Sequence, residues 1–488
     1  MIHIRFSKED AKVVLRDLGA IVFIIGYTLL VPLLVALVYG EANMYRAFLY
    51  PSAFAIWIGF LLKRTLANTE ETRGKHAVVL AGLAWLVVSL IGSYPFQSYG
   101  VGFLDSYFET MSGFTTSGLT LFQDVEVLPK SLLFWRAFIQ WIGGVGVITL
   151  FLAVIIHRGT VAARFYAAEA SGERISPSIT RTVSIIWKVY IVYTILGIGL
   201  YYIVGMSLFD AAAHTFTALA TAGFSTQNAS IGSYNSLPIE IVSVILMFLG
   251  GTSFLILYRI LKGEKTKFWE NPELRAYVGF ISLTTLLISG NLILNGHGGI
   301  DSVRRAAFHS LSAITTTGFS TTNLADWPDF SRAILLFLMI SGGSMGSTAG
   351  GLKILRTLIL VRLSYHEIVR ALVPSRAVLT FKVRDKVLEN TEVLHVASFF
   401  FLYTAFVFTS GLVLTTMGYD FFGALFTVSS AQGNVGLVAV PSAVWFSTPA
   451  PAKIILIVNM WIGRLEIFPA LALLGTIFES LRRPKPST

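Results

Sequence analysis

Four times along the chain, an apolar stretch leads into a short segment opened by aspartate, then a small-residue loop ending in glycine, then a second apolar stretch. The loops read Thr115-Thr116-Ser117-Gly118, Ala220-Thr221-Ala222-Gly223, Thr315-Thr316-Thr317-Gly318 and Gly433-Asn434-Val435-Gly436. Their glycines recur about every hundred residues. The second and third copies nearly coincide: Thr221-Ala222-Gly223-Phe224-Ser225-Thr226-Gln227-Asn228 against Thr316-Thr317-Gly318-Phe319-Ser320-Thr321-Thr322-Asn323. Glycine reaches backbone conformations closed to other residues and lets carbonyl oxygens line a narrow passage. Four matched loops between hydrophobic spans imply a fourfold pseudosymmetric ion filter within one chain.

The flanking spans belong in a bilayer. The chain has 488 residues, 54% of them hydrophobic and 13% charged, where a soluble domain carries about a quarter charged residues. Ten apolar spans are expected near 18–40, 47–62, 77–97, 132–156, 184–204, 239–260, 276–295, 330–361 (interrupted), 393–417 and 452–478, each close to the roughly 20 residues that cross a membrane. Residues 1–16 are polar and basic, and the first apolar run is long enough to stay rather than be cleaved as a signal peptide. Cysteine is absent, which excludes disulfides, thiolate metal sites and cysteine nucleophiles.

The net charge of +10 is distributed by membrane side rather than as a nucleic-acid surface. Segments 1–16, 63–75, 158–188, 259–275, 353–386 and 482–485 hold 29 of the 37 lysines and arginines. The basic side is cytoplasmic, so both termini lie inside and all four glycine loops open outward, in parallel repeats. The short segments before the loops begin at Asp105, Asp210, Asp301 and Asp420, each expected to cap a half-helix. Such a helix points its partly negative end at the membrane centre, where a cation would sit.

Further motifs point to a nearly complete family resemblance. They are Phe108-Glu109-Thr110-Met111-Ser112-Gly113-Phe114, Phe134-Trp135-Arg136, Gln140-Trp141-Ile142-Gly143-Gly144, the run from Gly346 to Lys353, and Gly463-Arg464-Leu465-Glu466-Ile467-Phe468. Together they resemble the Trk/Ktr/HKT superfamily of potassium transporters, and the two spans before residue 65 resemble its TrkH branch. The resemblance implies an all-α membrane protein of four M1-P-M2 (helix–pore loop–helix) units plus two extra N-terminal helices: 1–70, then repeats at 77–157, 183–262, 275–372 and 392–480. It makes Gly118, Gly223, Gly318 and Gly436, with the three residues before each, the potassium-coordinating filter, and K+ the transported ion, held by backbone carbonyls. In plant members Ser at the first filter position accompanies sodium permeation, so Gly118 points to potassium. One glycine per loop, without a following Tyr-Gly, implies fewer oxygen rings than in potassium channels. The fourth loop lacks threonine, so the pore is expected to be only approximately fourfold.

The eighth span breaks at Ser341-Gly342-Gly343-Ser344-Met345-Gly346-Ser347-Thr348-Ala349-Gly350-Gly351, too rich in Gly and Ser to stay helical. It reads either as a movable constriction under the filter, which the resemblance names a gate, or as a packing kink. Its G-x-S-x-G at Gly342–Gly346 lacks the strand and His–acid pair of a nucleophile elbow. Arg464 sits inside the last span, where a lone charge costs about 3 kcal/mol. Two readings stand: it slows cation flux beside the 342–351 loop with its donors holding loop carbonyls, or it pairs structurally with Glu466 or a helix end. His214 and His309 read as packing or hydrogen-bonding residues, and Glu109 and Asp105 as sources of negative potential at the outer mouth.

No cytoplasmic segment reaches the ~100 residues of a nucleotide-binding domain. The resemblance implies a homodimer on a cytosolic TrkA-type ring of RCK domains binding NAD(H) or ATP, so nucleotide enters only through a partner. Alone, the basic segments fit orientation or anionic lipid. A potassium pore of the cell inner membrane and a symporter using H+ or Na+ both remain, the latter needing an intramembrane acid for which only Glu240 and Glu466 offer themselves. An enzyme is excluded by the missing nucleophile–base set.

Overall fold

The computed structural model describes residues 6–155, 179–264, 270–374, 380–383 and 386–481. The basic segment 158–178 and the run 482–485 therefore lie outside the described residues, as do parts of 259–275 and 353–386. Apart from a two-residue hairpin, Lys382–Val383 against Lys386–Val387, the regular structure is helical.

An N-terminal pair comes first. Lys8–Thr28, continued by Leu30–Tyr39, packs along Ala42–Thr65. The seam is made of small residues: a Cβ at Gly59 would fall 2.6 Å from the Gly19 carbonyl oxygen, and Ser52 Oγ donates to the Gly26 carbonyl at 2.7 Å. Small residues let membrane helices approach backbone to backbone.

Four units follow, each a long helix, a short helix, a loop and a second membrane helix. The long helices are Gly74–Gly92, Ile179–Ile203, Pro272–Leu294 and Asn390–Thr415, and the short ones Phe103–Phe114, Leu208–Leu219, Gly299–Ile314 and Phe421–Gln432. The short helices start differently from the expectation. Only Asp420 is an N-cap, its Oδ2 accepting from Gly423 N at 2.9 Å. Asp105, Asp210 and Asp301 are each the third residue of their helix. Ser207 caps the second helix in place of Asp210, accepting from Asp210 N at 3.1 Å. In the first turn a carboxylate still complements the positive end of the helix dipole.

The second membrane helices depart further. Interruption was expected only in the eighth span, yet three of these four helices are broken. Leu237–Gly250 and Phe254–Leu261 meet at 108°, and Ala450–Arg464 and Phe468–Thr476 at 112°. Asp329–Ser341 is separated from Ile354–Leu372 by a full loop; only Lys130–Ile155 runs unbroken. The sixth span breaks at Gly250-Gly251, whose carbonyls accept hydrogen bonds from Thr348 and Ser344. The last breaks where Glu466 and Ile467 take φ of 58° and 60°. Broken helices persist in membranes where neighbouring groups satisfy the freed backbone.

Among the described residues six helical runs can cross a membrane by length and composition, or eight if each bent pair counts once. The other two expected spans are Lys130–Ile155, whose side chains are described only to residue 146, and 330–361, which its loop divides. The buried apolar side chains form two main clusters. One joins the N-terminal pair to the first and fourth units, the other joins the second and third. The four glycine loops lie where these halves meet.

Candidate functional site

All four short helices end in one way. The second loop residue takes left-handed backbone: φ is 56° at Thr116, 49° at Thr221, 56° at Thr316 and 54° at Asn434. The next amide then bonds back five residues: Ser117 to Ser112, Ala222 to Thr217, Thr317 to Ser312 and Val435 to Ser430, at 2.8–2.9 Å. This is the Schellman closure, usually carried by glycine. Threonine there is strained by its branched Cβ, and neighbours hold it. The Thr221 and Thr348 hydroxyls lie 3.1 Å apart, and Gly350 N donates to Thr316 Oγ1 at 2.7 Å. Asn434 Nδ2 donates to Ser117 Oγ (2.9 Å) and the Met460 carbonyl (3.0 Å).

The glycines are required twice over. Gly118, Gly223, Gly318 and Gly436 have φ of 71°, 78°, 82° and 100°, so each loop alternates left-handed residues with one that is not. Each glycine also abuts the next loop. A Cβ at Gly118 would lie 2.1 Å from the Ala222 oxygen, at Gly223 2.0 Å from Thr317 O, at Gly318 2.0 Å from Val435 O, and at Gly436 2.7 Å from Ser117 O. The contacts run from loop one to two, three, four and back to one. This closed ring floors one cavity of about 230 Å³ whose lining includes all four glycines.

Gln140 braces the ring from the first unit's second helix. Its Nε2 donates to the Ala222 carbonyl (2.8 Å) and its Oε1 accepts from Phe224 N (3.0 Å), straddling Gly223. The sequence reading quoted Gln140 within a motif but assigned it no role; a lone amide in an apolar span was the available signal.

The 342–351 segment lies directly beneath. Gly342, Gly346 and Gly351 take left-handed φ of 68°, 76° and 71°, so the chain folds back on itself with every residue but Gly351 buried. Ser344 N bonds to the Gly251 carbonyl (3.0 Å) and Met345 N to Glu273 Oε1 (2.7 Å). Thr348 Oγ1 lies 2.9 Å from Leu219 O and 3.0 Å from Gly250 O. A Cβ at Gly350 would strike the Gly433 oxygen at 2.1 Å. Lys353, which follows, is also buried and turns its ammonium to the Ala349 carbonyl.

Arg464 joins three units. Nη1 donates to the Thr348 carbonyl and Nη2 to the Gly143 carbonyl, both at 3.0 Å. Nε has no protein partner, and the residue is 5% exposed. Glu466 pairs instead with Arg356 at 2.6 Å, so the alternative Arg464–Glu466 ion pair is not formed. The carboxylates suggested for the outer mouth are also engaged: Glu109 with Arg136 at 2.8 Å, and Asp105 with Lys453. Sequence reasoning missed Lys353, Arg356, Glu273 and the Glu109–Arg136 pair, although charges at apolar positions were visible. Among the described residues no group of three or more His, Cys, Asp or Glu could hold a metal.

The family model for TrkH, described as a cation transport protein, matches residues 45–481. An uncharacterized cation transporter of Methanocaldococcus jannaschii is 38% identical over 483 residues, covering 98% of each chain. The Trk system potassium uptake protein TrkH of Salmonella typhimurium is 33% identical over 481 residues, covering 96% of this chain and 99% of its own. The crystal structure of the potassium transporter TrkH from Vibrio parahaemolyticus superposes with a TM-score of 0.85 at 30% identity, covering 96% of this chain and 99% of that one.

Proposed function

The chain belongs to the TrkH family of cation transport proteins, and from that membership we propose that it is a potassium-uptake pore of the cytoplasmic membrane. Residues 115–118, 220–223, 315–318 and 433–436 form its selectivity filter. The repeats run over 77–157, 183–262, 275–372 and 392–480, behind an extension at 1–70, with both termini inside. The observation that carries this reading is the closed ring of glycine–carbonyl contacts flooring one cavity. A dehydrated cation needs oxygen ligands in place of water, and backbone carbonyls supply them without net charge. The membrane potential pulls on the ion by about 2.3 kcal/mol per charge per 100 mV, enough for uptake without ATP.

Loop 342–351 with Arg464 is the gate in this reading. Its support is position: the loop hydrogen-bonds to filter residues Thr221 and Thr316, and Arg464 holds the loop's Thr348 carbonyl. Regulation enters through a homodimer docked on a TrkA-type nucleotide-binding ring. Helix Ile354–Leu372 supports a docking role, since it exposes Val361, Tyr365, Ile368 and Leu372 at helical spacing. H+ or Na+ symport is disfavoured because the acids it would use are paired, Glu240 with Arg304 and Glu466 with Arg356.

Growth of a potassium-uptake-deficient strain on limiting potassium tests the whole reading. Wild type rescues growth, and Gly223→Ser rescues poorly or loses preference for potassium over sodium. Equal rescue with equal preference would refute the filter assignment.

A further inference from the structure

Nine positions before the filter glycines stand Glu109, His214, His309 and Thr427, all buried and at one register of the four short helices. The first three reach the chain just beyond their own glycine. Glu109 Oε1 accepts from Thr120 Oγ1 at 3.0 Å. His214 is hydrogen-bonded at both nitrogens, Nδ1 to the Asp210 carbonyl and Nε2 to Ser225 Oγ, each at 2.8 Å. His309 repeats the inner bond, Nδ1 to the Arg305 carbonyl at 2.9 Å, and its Nε2 accepts from Thr321 N at 3.4 Å. Thr427 makes no such link: its hydroxyl has no partner. The fourth loop is held instead at the glycine, where Gly436 N donates to Ser430 Oγ at 3.0 Å.

We propose that Glu109, His214 and His309 are positioning residues for ion selection, tying each short helix to the outgoing limb of its filter loop so that the ring of oxygens keeps its spacing. This rests on the reading of the four loops as a filter. Each loop is fixed on its inner side by the Schellman closure, but the limb past the glycine has no regular structure of its own. A side chain from the short helix supplies the second fixed point. In the first unit the brace extends sideways: Arg136 pairs with Glu109 and donates through Nη1 to the Ser225 carbonyl at 2.9 Å, with its guanidinium 4.2 Å from the Phe224 ring centroid. The His214 ring lies among Tyr201, Tyr234 and Phe319, which fix its orientation. Selectivity depends on the position and stiffness of coordinating oxygens, so loosening these limbs acts on discrimination more than on folding.

The test uses the full-length protein in proteoliposomes, with potassium flux measured against sodium competition. Ser225→Ala removes the far end of the His214 bond, and His214→Phe keeps the ring while removing both nitrogens. Ser225→Ala is expected to lower potassium-over-sodium discrimination about fivefold, the effect of roughly one hydrogen bond, and His214→Phe, which also gives up the bond to the Asp210 carbonyl, by at least as much. The double variant loses less than the sum of the two single losses, because the His214–Ser225 bond is common to both, and His214→Gln restores part of the loss. Unchanged discrimination in Ser225→Ala, a small truncation that leaves the pore fold intact, overturns the proposal. So do losses that add in the double variant. Wild-type vesicles that pass no potassium would overturn the transport reading as well, a result distinct from a conducting pore with unaltered preference.

Discussion

The Thr221 and Thr348 hydroxyls lie 3.1 Å apart, which joins a filter loop of the second unit to the loop that interrupts the third. Thr348 also touches the last carbonyl of the second short helix and gives its own carbonyl to Arg464. One residue thus couples the ring of glycines, through its hydroxyl, to the charge beneath it, through its carbonyl.

Thr348→Val keeps the shape and removes the hydroxyl. If the 342–351 loop is the gate proposed above, basal potassium flux should rise about fivefold, the effect of roughly one hydrogen bond withdrawn from it. Flux equal to wild type in reconstituted vesicles would count against a gating role for the loop.

Arg464→Ala removes the charge that the proposed gate places beneath the filter, and both restraints on the Thr348 and Gly143 carbonyls. Single-channel conductance is expected to rise. Arg464→Lys should resemble alanine in loop anchoring, because a single ammonium cannot span two carbonyls as a planar guanidinium does, while retaining most of the electrostatic brake. A Lys variant indistinguishable from Ala in conductance would remove charge as the cause.

The four glycines are expected to tolerate alanine unequally. The Cβ would sit 2.0–2.1 Å from a carbonyl at Gly118, Gly223 and Gly318 but 2.7 Å away at Gly436. Alanine at Gly436 should therefore retain the most potassium-over-sodium preference. A ranking that places Gly436→Ala among the most severe, read from reversal potentials, would contradict the geometry.

Arg356→Ala leaves the partly buried Glu466 without its ion-pair partner, at the strained turn where the last span bends. The pair is only partly withdrawn from water, so its loss costs less than that of a fully buried pair, and thermal stability of the purified protein should fall. The charge-swapped pair Arg356→Glu with Glu466→Arg should recover part of it, and no recovery would assign the loss to Arg356 stacking on Phe399 instead.

What the chain revealed in advance followed local patterns. Apolar runs located most of the spans, and the recurring glycines located the four loops, because each pattern lies within a few consecutive residues. The breaks at Gly251 and Glu466 were not legible: each helix continues or stops according to whether a distant loop takes up its carbonyls. Asp420 caps its helix as expected, while Asp105, Asp210 and Asp301 lie three positions past the N-cap, since a carboxylate favours the N-cap and the third helical position alike. Gln140 carried no expected role and Glu109 only that of a mouth charge, because their partners, Ala222 and Arg136, are fixed only once the units are packed around a common axis.

The ring of loops is closed by one polypeptide, so each of its four edges is encoded separately. In an assembly of identical subunits a single codon change is copied four times around the axis and the perimeter shifts all at once. Here it moves one quarter of the perimeter and leaves three quarters in place. The fourth edge, with asparagine for threonine and the loosest contact, shows the result: the aperture can be adjusted in single, asymmetric steps.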